Sequence, residues 1–214
     1  MQNRAELIAK QAIDTVLDVG ANEGRFALQL RDEGFTGRIV SFEPLSSAYV
    51  LLASASAADL SWECLRLALG SKTGEATLNV AGNLASSSFL PMDSGLSELE
   101  PRLAYTGTEE CSLSTLDVLA PDLFQPEERF YLKLDVQGFE LEVLRGAEAT
   151  LDRVLALDVE LSLTRLYDGA PLMDEVVAYL AERDYALLGT EPAYVHPRTK
   201  EPLQVDGLFA RNSA

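Results

Sequence analysis

Thr15-Val-Leu-Asp-Val-Gly-Ala-Asn-Glu-Gly-Arg-Phe26 runs from a short apolar strand into a turn of small residues and on into a helix. Gly20 and Gly24 lack a Cβ, so they can take the positive φ values of a sharp strand-to-helix turn and leave room for an adjacent nucleoside or amino-acid group. Asn22 adds a short polar side chain at the mouth of that turn. The spacing Gly20-x-Asn22-x-Gly24 differs from the G-x-G-x-x-G that holds a dinucleotide pyrophosphate on helix N–H groups, which disfavours nicotinamide and flavin dinucleotides.

A second strand over residues 37–44 ends in Glu43, 25 positions after Asp18 (43 − 18). An acidic residue at the end of the second strand of an open α/β sheet is placed to accept hydrogen bonds from both ribose hydroxyls of an adenosine. A turn that suits no diphosphate and an acid that suits a ribose are satisfied together by S-adenosylmethionine, which carries an adenosine, a cationic sulfonium and an amino-acid tail. Pro44, next to this acid, and Ala68, at the end of the third strand, are expected to complete the cofactor contacts. Either feature alone has a plain alternative, a strand–helix turn like any other or a solvated strand end before a proline.

Working outward, residues 4–14 read as a helical lead-in, and residues 23–33 as a helix with Phe26, Ala27 and Leu30 at three-and-four spacing, stopped by Gly34. Ser46 is expected to cap a helix reaching about residue 57. Residues 62–69 form the third strand, and 74–80 alternate as an extra strand or hairpin partner. Residues 82–110, rich in Ser, Gly and Pro, read as one long irregular segment and a candidate substrate lid. A fourth strand over 130–136 leads into a helix over 140–151, a fifth strand over 154–161 and a helix over 173–183. Residues 185–195 and 203–211 read as a hairpin, which puts an antiparallel strand into an otherwise parallel sheet. This alternation predicts a single α/β domain over 1–214 with a doubly wound, Rossmann-like sheet and helices on both faces.

The balance of 17 basic against 34 acidic residues, a net charge of −17, repels phosphate backbones and anionic bilayers, so neither nucleic acid nor membrane is an expected partner. No run of about twenty apolar residues could cross a bilayer, and the N-terminus lacks the apolar core of a secretion signal. A soluble, cytoplasmic protein is expected. Cys64 and Cys111 have no metal-ligand spacing and read as ordinary reduced thiols. A divalent metal on Asp135, Asp158 or Glu160 could lower the pKa of a hydroxyl, but no His or carboxylate spacing demands one and none is expected. A homodimer is compatible with the sequence, which does not fix oligomeric state.

Central strands of a parallel sheet normally read as continuous apolar runs, yet the fourth strand carries Lys133 and Asp135 and the fifth Asp158 and Glu160. Each pair is two residues apart and shares a face. If the two strands are neighbours, Lys133 can pair with Asp135 or Glu160 and leave a carboxylate facing the pocket; the alternative is a buried ion-pair network that fixes strand register.

The ordered motifs Asp18-Val-Gly-Ala-Asn-x-Gly-x-Phe26, Phe42-Glu-Pro44, Ser86-Ser-Ser88, Leu132-Lys-Leu-Asp-Val-Gln-Gly-Phe-Glu-Leu-Glu-Val-Leu-Arg-Gly-Ala147, Glu160-Leu-Ser162 with Leu166-Tyr-x-Gly169, and Asp206-Gly-Leu-Phe209 resemble the FkbM family of S-adenosylmethionine-dependent methyltransferases. The resemblance implies a class I methyltransferase fold and O-methylation of a hydroxyl on a sugar, polyketide or other secondary metabolite. By the family pattern Asp18, Gly20 and Asn22 line the methionine end of the cofactor, Glu43 the ribose and Asp135 the site of the transferring methyl. Two departures stand out: Gln137 replaces a Glu common among relatives, and the segment before Asp18 is short.

Methyl transfer asks an enzyme chiefly to hold nucleophile, carbon and sulfur in line. A hydroxyl must also lose its proton, for which Asp135 is the first candidate base and Glu160 the second. His196, beside Pro197 at the expected hairpin tip, reads as turn chemistry. Ser86, Ser87 and Ser88 could donate to a polar acceptor, with Gln137 and Tyr167 as further substrate contacts. The competing readings are a non-catalytic cofactor-binding module and another enzyme on the same scaffold, such as an aminopropyl transferase or a dinucleotide oxidoreductase.

Overall fold

Seven strands form the main sheet of the computed structural model, which describes residues 4–212. They are β1 (Thr15–Val19), β2 (Arg38–Phe42), β3 (Trp62–Leu65), β7 (Phe130–Leu134), β8 (Val154–Ser162), β9 (Tyr185–Val195) and β10 (Pro202–Arg211), in the order β3-β2-β1-β7-β8-β10-β9. β3, β2, β1, β7 and β8 run parallel, and β10 lies antiparallel between β8 and β9. The chain winds outward from β1 to β3 and then returns to lay β7 on the free edge of β1. That reversal opens a crevice at the carboxyl ends of β1 and β7, where open α/β sheets hold ligands.

The helices are α1 (Arg4–Lys10), α2 (Arg25–Asp32), α3 (Ser46–Ser56), α4 (Ser94–Leu99), α5 (Leu116–Leu123), α6 (Glu140–Arg145) and α7 (Met173–Ala181). Period-two alternation of the strands divides the core between the two faces of the sheet. Val16, Ile39, Tyr131 and Trp62 pack with Leu30 and Leu52 on the α1–α3 side, whereas Leu17, Val19, Val40 and Leu132 pack with Val143 and Leu144 on the other. β1 and β7 are buried along their whole length, so their apolar positions serve both layers.

Residues 82–110 are not a single irregular loop. They contain α4, a 3-10 turn (Pro101–Leu103) and the first half of β6 (Tyr105–Ser114). β6 lies between β4 (Ala68–Leu69) and β5 (Gly74–Ala81) in a second sheet, antiparallel to β5 and parallel to β4. The expected third strand is therefore split, with Trp62–Leu65 in the main sheet and Ala68–Leu69 in the second. β6 escapes a hydrophobicity reading because only its inner positions, among them Cys111 and Leu113, are buried, while Thr108, Glu110 and Ser112 are exposed.

Ser46 is the first helical residue of α3 and not its cap; its N–H and Oγ both donate to Glu109, at 2.9 and 2.8 Å. Glu109 on β6 thereby ties the second sheet to the start of α3. The helix expected over 140–151 stops at Gly146, where a Cβ would collide with the backbone of Gly70, and a 3-10 turn (Thr150–Arg153) follows. α5, which the sequence reading missed, is capped by Thr115, whose Oγ1 accepts from the Val118 N–H at 3.1 Å.

Candidate active site

Gly20 ends β1 with φ 81°, and its N–H donates to the Phe42 carbonyl at 3.0 Å. A Cβ here would strike the carbonyl oxygen of Asp135. Gly24, at φ 86°, leads into α2, and a Cβ there would lie 2.8 Å from the Trp62 indole. The close approaches that these glycines permit are thus to protein, a correction to the expectation that both make room for a ligand. Gly20 still lines the crevice, while Gly24 does not.

Between them Asn22 takes a left-handed conformation, φ 48°, and its N–H donates to Glu43 Oε2 at 2.8 Å. Glu43 Oε1 accepts from the Leu45 N–H at 2.8 Å. Burial pushes the Glu43 carboxyl up to about 7, against the pull of these two N–H donors. Asn22 Oδ1 is buried and, among the described residues, has no hydrogen-bond partner.

In-register pairing of β1, β7 and β8 lays Asp18, Lys133 and Asp158 side by side. Lys133 Nζ sits 3.3 Å from Asp135 Oδ2 and 4.0 Å from Asp206 Oδ1. Burial opposes its charge, but Asp135, Asp158, Asp206 and Glu160 outweigh that and hold the ammonium above its ordinary value. Asp158 pairs with Arg4 at 3.6 Å, and Asp18 accepts from Ser41 Oγ at 3.2 Å. Burial raises Asp18 and Asp206 each to about 6 even with Lys133 beside them.

Gln137 connects the remaining carboxylates. Its Nε2 donates to Asp135 Oδ1 at 2.9 Å and to Glu160 Oε2 at 2.8 Å, and its Oε1 accepts from Tyr167 OH at 2.7 Å. Glu160 Oε2 takes a second bond from Gln204 Nε2 at 2.7 Å. Burial, with Asp135 and Glu140 nearby, drives the Glu160 carboxyl well above its usual range. Lys133 therefore pairs with Asp135, and Glu160 is held by two amides.

A cavity of about 290 Å³ joins these groups, near the lower end of the roughly 300–1,000 Å³ of small-molecule sites. Gly20, Asn22, Glu43, Pro44 and Ala68 line one end, and Asp135, Gln137, Glu160 and Tyr167 the other, and Ser86 and Ser87 also belong to the lining. Asp18 and Lys133 open instead onto a neighbouring cleft beside Phe26, which shares Gly20, Asn22 and Asp135 with the cavity. Ser88 is buried and committed to the fold: its Oγ donates to the Gln137 carbonyl at 2.7 Å and accepts from the Leu90 N–H at 3.1 Å. His196 stands at the hairpin tip, its Nδ1 accepting from the N–H groups of Arg198 and Thr199.

Sequence reasoning missed the apolar wall of Leu96, Leu103, Leu166 and Tyr194, together with Gln204. Leu166 stood inside a quoted motif, but Leu96 and Leu103 lay in the segment read as irregular. Among the described residues no group of three or more His, Cys, Asp or Glu side chains is arranged to hold a metal ion, and no helix is long and apolar enough to cross a membrane.

The model of the methyltransferase FkbM domain matches residues 18–187, from the carboxylate of β1 into β9. The chain belongs to the FkbM methyltransferase family. Among solved structures it is similar to the methyltransferase FkbM of Methylobacillus flagellatus KT, with a TM-score of 0.55 and 14% identity over 91% of this chain and 43% of that one. It is also similar to the magnesium protoporphyrin IX methyltransferase of Synechocystis PCC 6803 with bound SAM (0.53, 9% identity, 97% and 76% covered) and to TehB of Haemophilus influenzae (0.50, 10%, 99% and 63%). At these identities the likeness establishes the fold, a class I methyltransferase sheet with one antiparallel C-terminal hairpin. The FkbM-family chain spans less than half the length of the Methylobacillus protein. No curated protein matches it.

Proposed function

We propose that this FkbM methyltransferase uses S-adenosylmethionine and methylates a hydroxyl of a small molecule. The observation that carries the reading is one cavity joining Asn22 and Glu43 to Asp135 and Glu160. The residues fit the cofactor. Asn22 Oδ1 is a buried acceptor in want of a donor, which an α-amino group provides. Glu43 retains lone pairs for the ribose hydroxyls, and Phe42, Ala48, Ala68 and Leu78 offer apolar surface to an adenine. When bound, the cofactor supplies an electrophilic methyl on a cationic sulfur.

The chain's own groups orient the acceptor and take its proton. Each oxygen of Asp135 already accepts one hydrogen bond and Oδ2 is ion-paired with Lys133, whereas Glu160 Oε1 accepts from no described residue. We therefore assign the proton-accepting role to Glu160, ahead of the Asp135 favoured by the sequence, with Asp135 and Lys133 fixing Gln137 and through it Glu160. A carboxyl raised by burial is a stronger base once ionised, as general-base catalysis near neutral pH requires.

Thermal shift with S-adenosylmethionine, S-adenosylhomocysteine and NAD tests the cofactor. At a hundredfold excess over Kd a ligand adds about 2.7 kcal/mol, which raises Tm by roughly 5–10 °C in a chain of this size. A shift with NAD and none with the other two would overturn the reading. Transfer of labelled methyl to an alcohol, abolished in Glu160→Gln with cofactor affinity kept, separates an enzyme from a binding module.

A further inference from the structure

We infer that the acceptor is an uncharged molecule with an apolar body that presents an isolated hydroxyl to Glu160, and is neither a phosphorylated compound nor a polyhydroxylated sugar. The inference rests on the methyltransferase reading and narrows its substrate. Beyond Glu160 the cavity wall is Leu96, Leu103 and Leu166, each at most 5% exposed and packed with Tyr167 in one apolar cluster. Among the described residues no Lys, Arg or His lines the cavity, and the charged residues that do are Glu43, Asp135 and Glu160. A phosphate or carboxylate on the acceptor would meet no cationic side chain at this end and would face Asp135 and Glu160 as like charges, a costly burial.

The polar groups at this end are spent on one another. Tyr167 OH donates to Gln137 at 2.7 Å, and the Gln137 and Gln204 amides donate to Glu160 at 2.8 and 2.7 Å. Tyr194 OH donates to Glu100 at 2.7 Å. Of the lid serines that line the cavity, Ser87 is occupied, its Oγ donating to the Leu84 carbonyl at 2.6 Å and accepting from the Ala81 N–H at 3.1 Å, and Ser86 Oγ accepts from Asn83 Nδ2 at 3.0 Å, which leaves one hydroxyl hydrogen for a ligand. A ring bearing several hydroxyls would leave most of them unpaired against leucine, and each buried unmatched hydroxyl is penalised. One hydroxyl on a hydrocarbon frame matches the free Glu160 Oε1 and the wall behind it.

Three probes share a six-carbon ring and differ only in what this argument invokes: cyclohexanol, myo-inositol and cyclohexyl phosphate. Saturation-transfer NMR on the protein, with and without S-adenosylhomocysteine, is expected to give a cyclohexanol signal at least tenfold above the other two. Leu166→Lys is expected to reverse the preference between cyclohexanol and cyclohexyl phosphate. Leu103→Ser, a milder change, is expected to weaken the cyclohexanol signal severalfold, and calorimetric binding of S-adenosylhomocysteine reports that each variant is folded. Stronger contact with inositol or the phosphate, or a cyclohexanol signal indifferent to both variants, overturns the inference while leaving the cofactor reading intact. No binding of S-adenosylhomocysteine to the unaltered protein removes the cofactor reading and this inference with it.

Discussion

Gln137→Glu replaces one heavy atom, the amide nitrogen, by oxygen at the centre of the carboxylate network. The amide Nε2 now donates one hydrogen to Asp135 at 2.9 Å and the other to Glu160 at 2.8 Å. An ionised carboxylate in its place would face Asp135, and Glu160 whenever it is ionised, as a like charge. With charge centres about 4 Å apart and an effective dielectric near 20, each repulsion is about 4 kcal/mol. At about 1.4 kcal/mol per pKa unit, this keeps the new carboxyl protonated at neutral pH. A protonated carboxyl has one O–H, so it can serve one neighbour but not both, and the lost charge-assisted hydrogen bond is worth about 1.5–3 kcal/mol. The sign with pH follows from linkage. The new acid's pKa is raised in the fold, so its native state holds a proton that the unfolded chain releases above about pH 4.3, and the deficit grows from there toward alkaline pH. Melting curves at pH 5.5 and 8.5 should show the variant about 3–12 °C below the parent at the lower pH and further below at the higher. Equal melting temperatures, or a gap that closes as pH rises, would refute the bridging role.

The parent protein should itself melt higher at pH 5 than at pH 8. Asp18 and Asp206 sit at about 6 and Glu43 and Glu140 at about 7, all raised by burial, so the fold binds more protons than the unfolded chain across that window; a melting temperature that climbs with pH contradicts this. Asp14, Asp59 and Glu109, lowered by their arginine and hydroxyl partners, act with the opposite sign only in more acid solution. Glu43→Gln should weaken S-adenosylhomocysteine about 10- to 100-fold by calorimetry while leaving the fold in place, since a charged acceptor is lost from the ribose end. Glu160→Gln should lower kcat about 100-fold or more with KM for cofactor little changed, Asp135→Asn should cost less, and the parent's kcat should rise with pH through the elevated Glu160 titration; the reverse ranking would return the base to Asp135.

The sheet was legible because its strands carry period-two apolar runs and its turns carry glycines, features that act within a few residues of one another. The strands that line up Asp18, Lys133 and Asp158 were visible as charges out of place in buried runs, and the register of β1, β7 and β8 supplies the reason. β6 was hidden because half of it faces water and its partner β5 lies across an intervening helix and turn. The same gap concealed Leu96 and Leu103, whose burial depends on Leu166 far along the chain. Gly24 shows the limit of motif reasoning most clearly. Its position in the turn is as the pattern requires, but the group filling the space beside it is Trp62 of β3, which no local spacing could reveal.

Asp18, Asp135, Asp158, Glu160 and Asp206 share one side of four adjacent strands, and among the described residues Lys133 and Arg4 are the cations against them. A network whose purpose was strand register alone would balance its charges, because each uncompensated buried carboxylate weakens the fold. The raised carboxyls record that cost in their titration, and the Gln137 and Gln204 amides blunt it without adding a positive charge. On the proposed reading the sulfonium and α-amino groups of the cofactor supply positive charge beside these carboxylates, so cofactor binding offsets the excess. Gln at position 137 has the same physical sense: a further carboxylate there would deepen the imbalance at the point where Glu160 must be free to receive a proton.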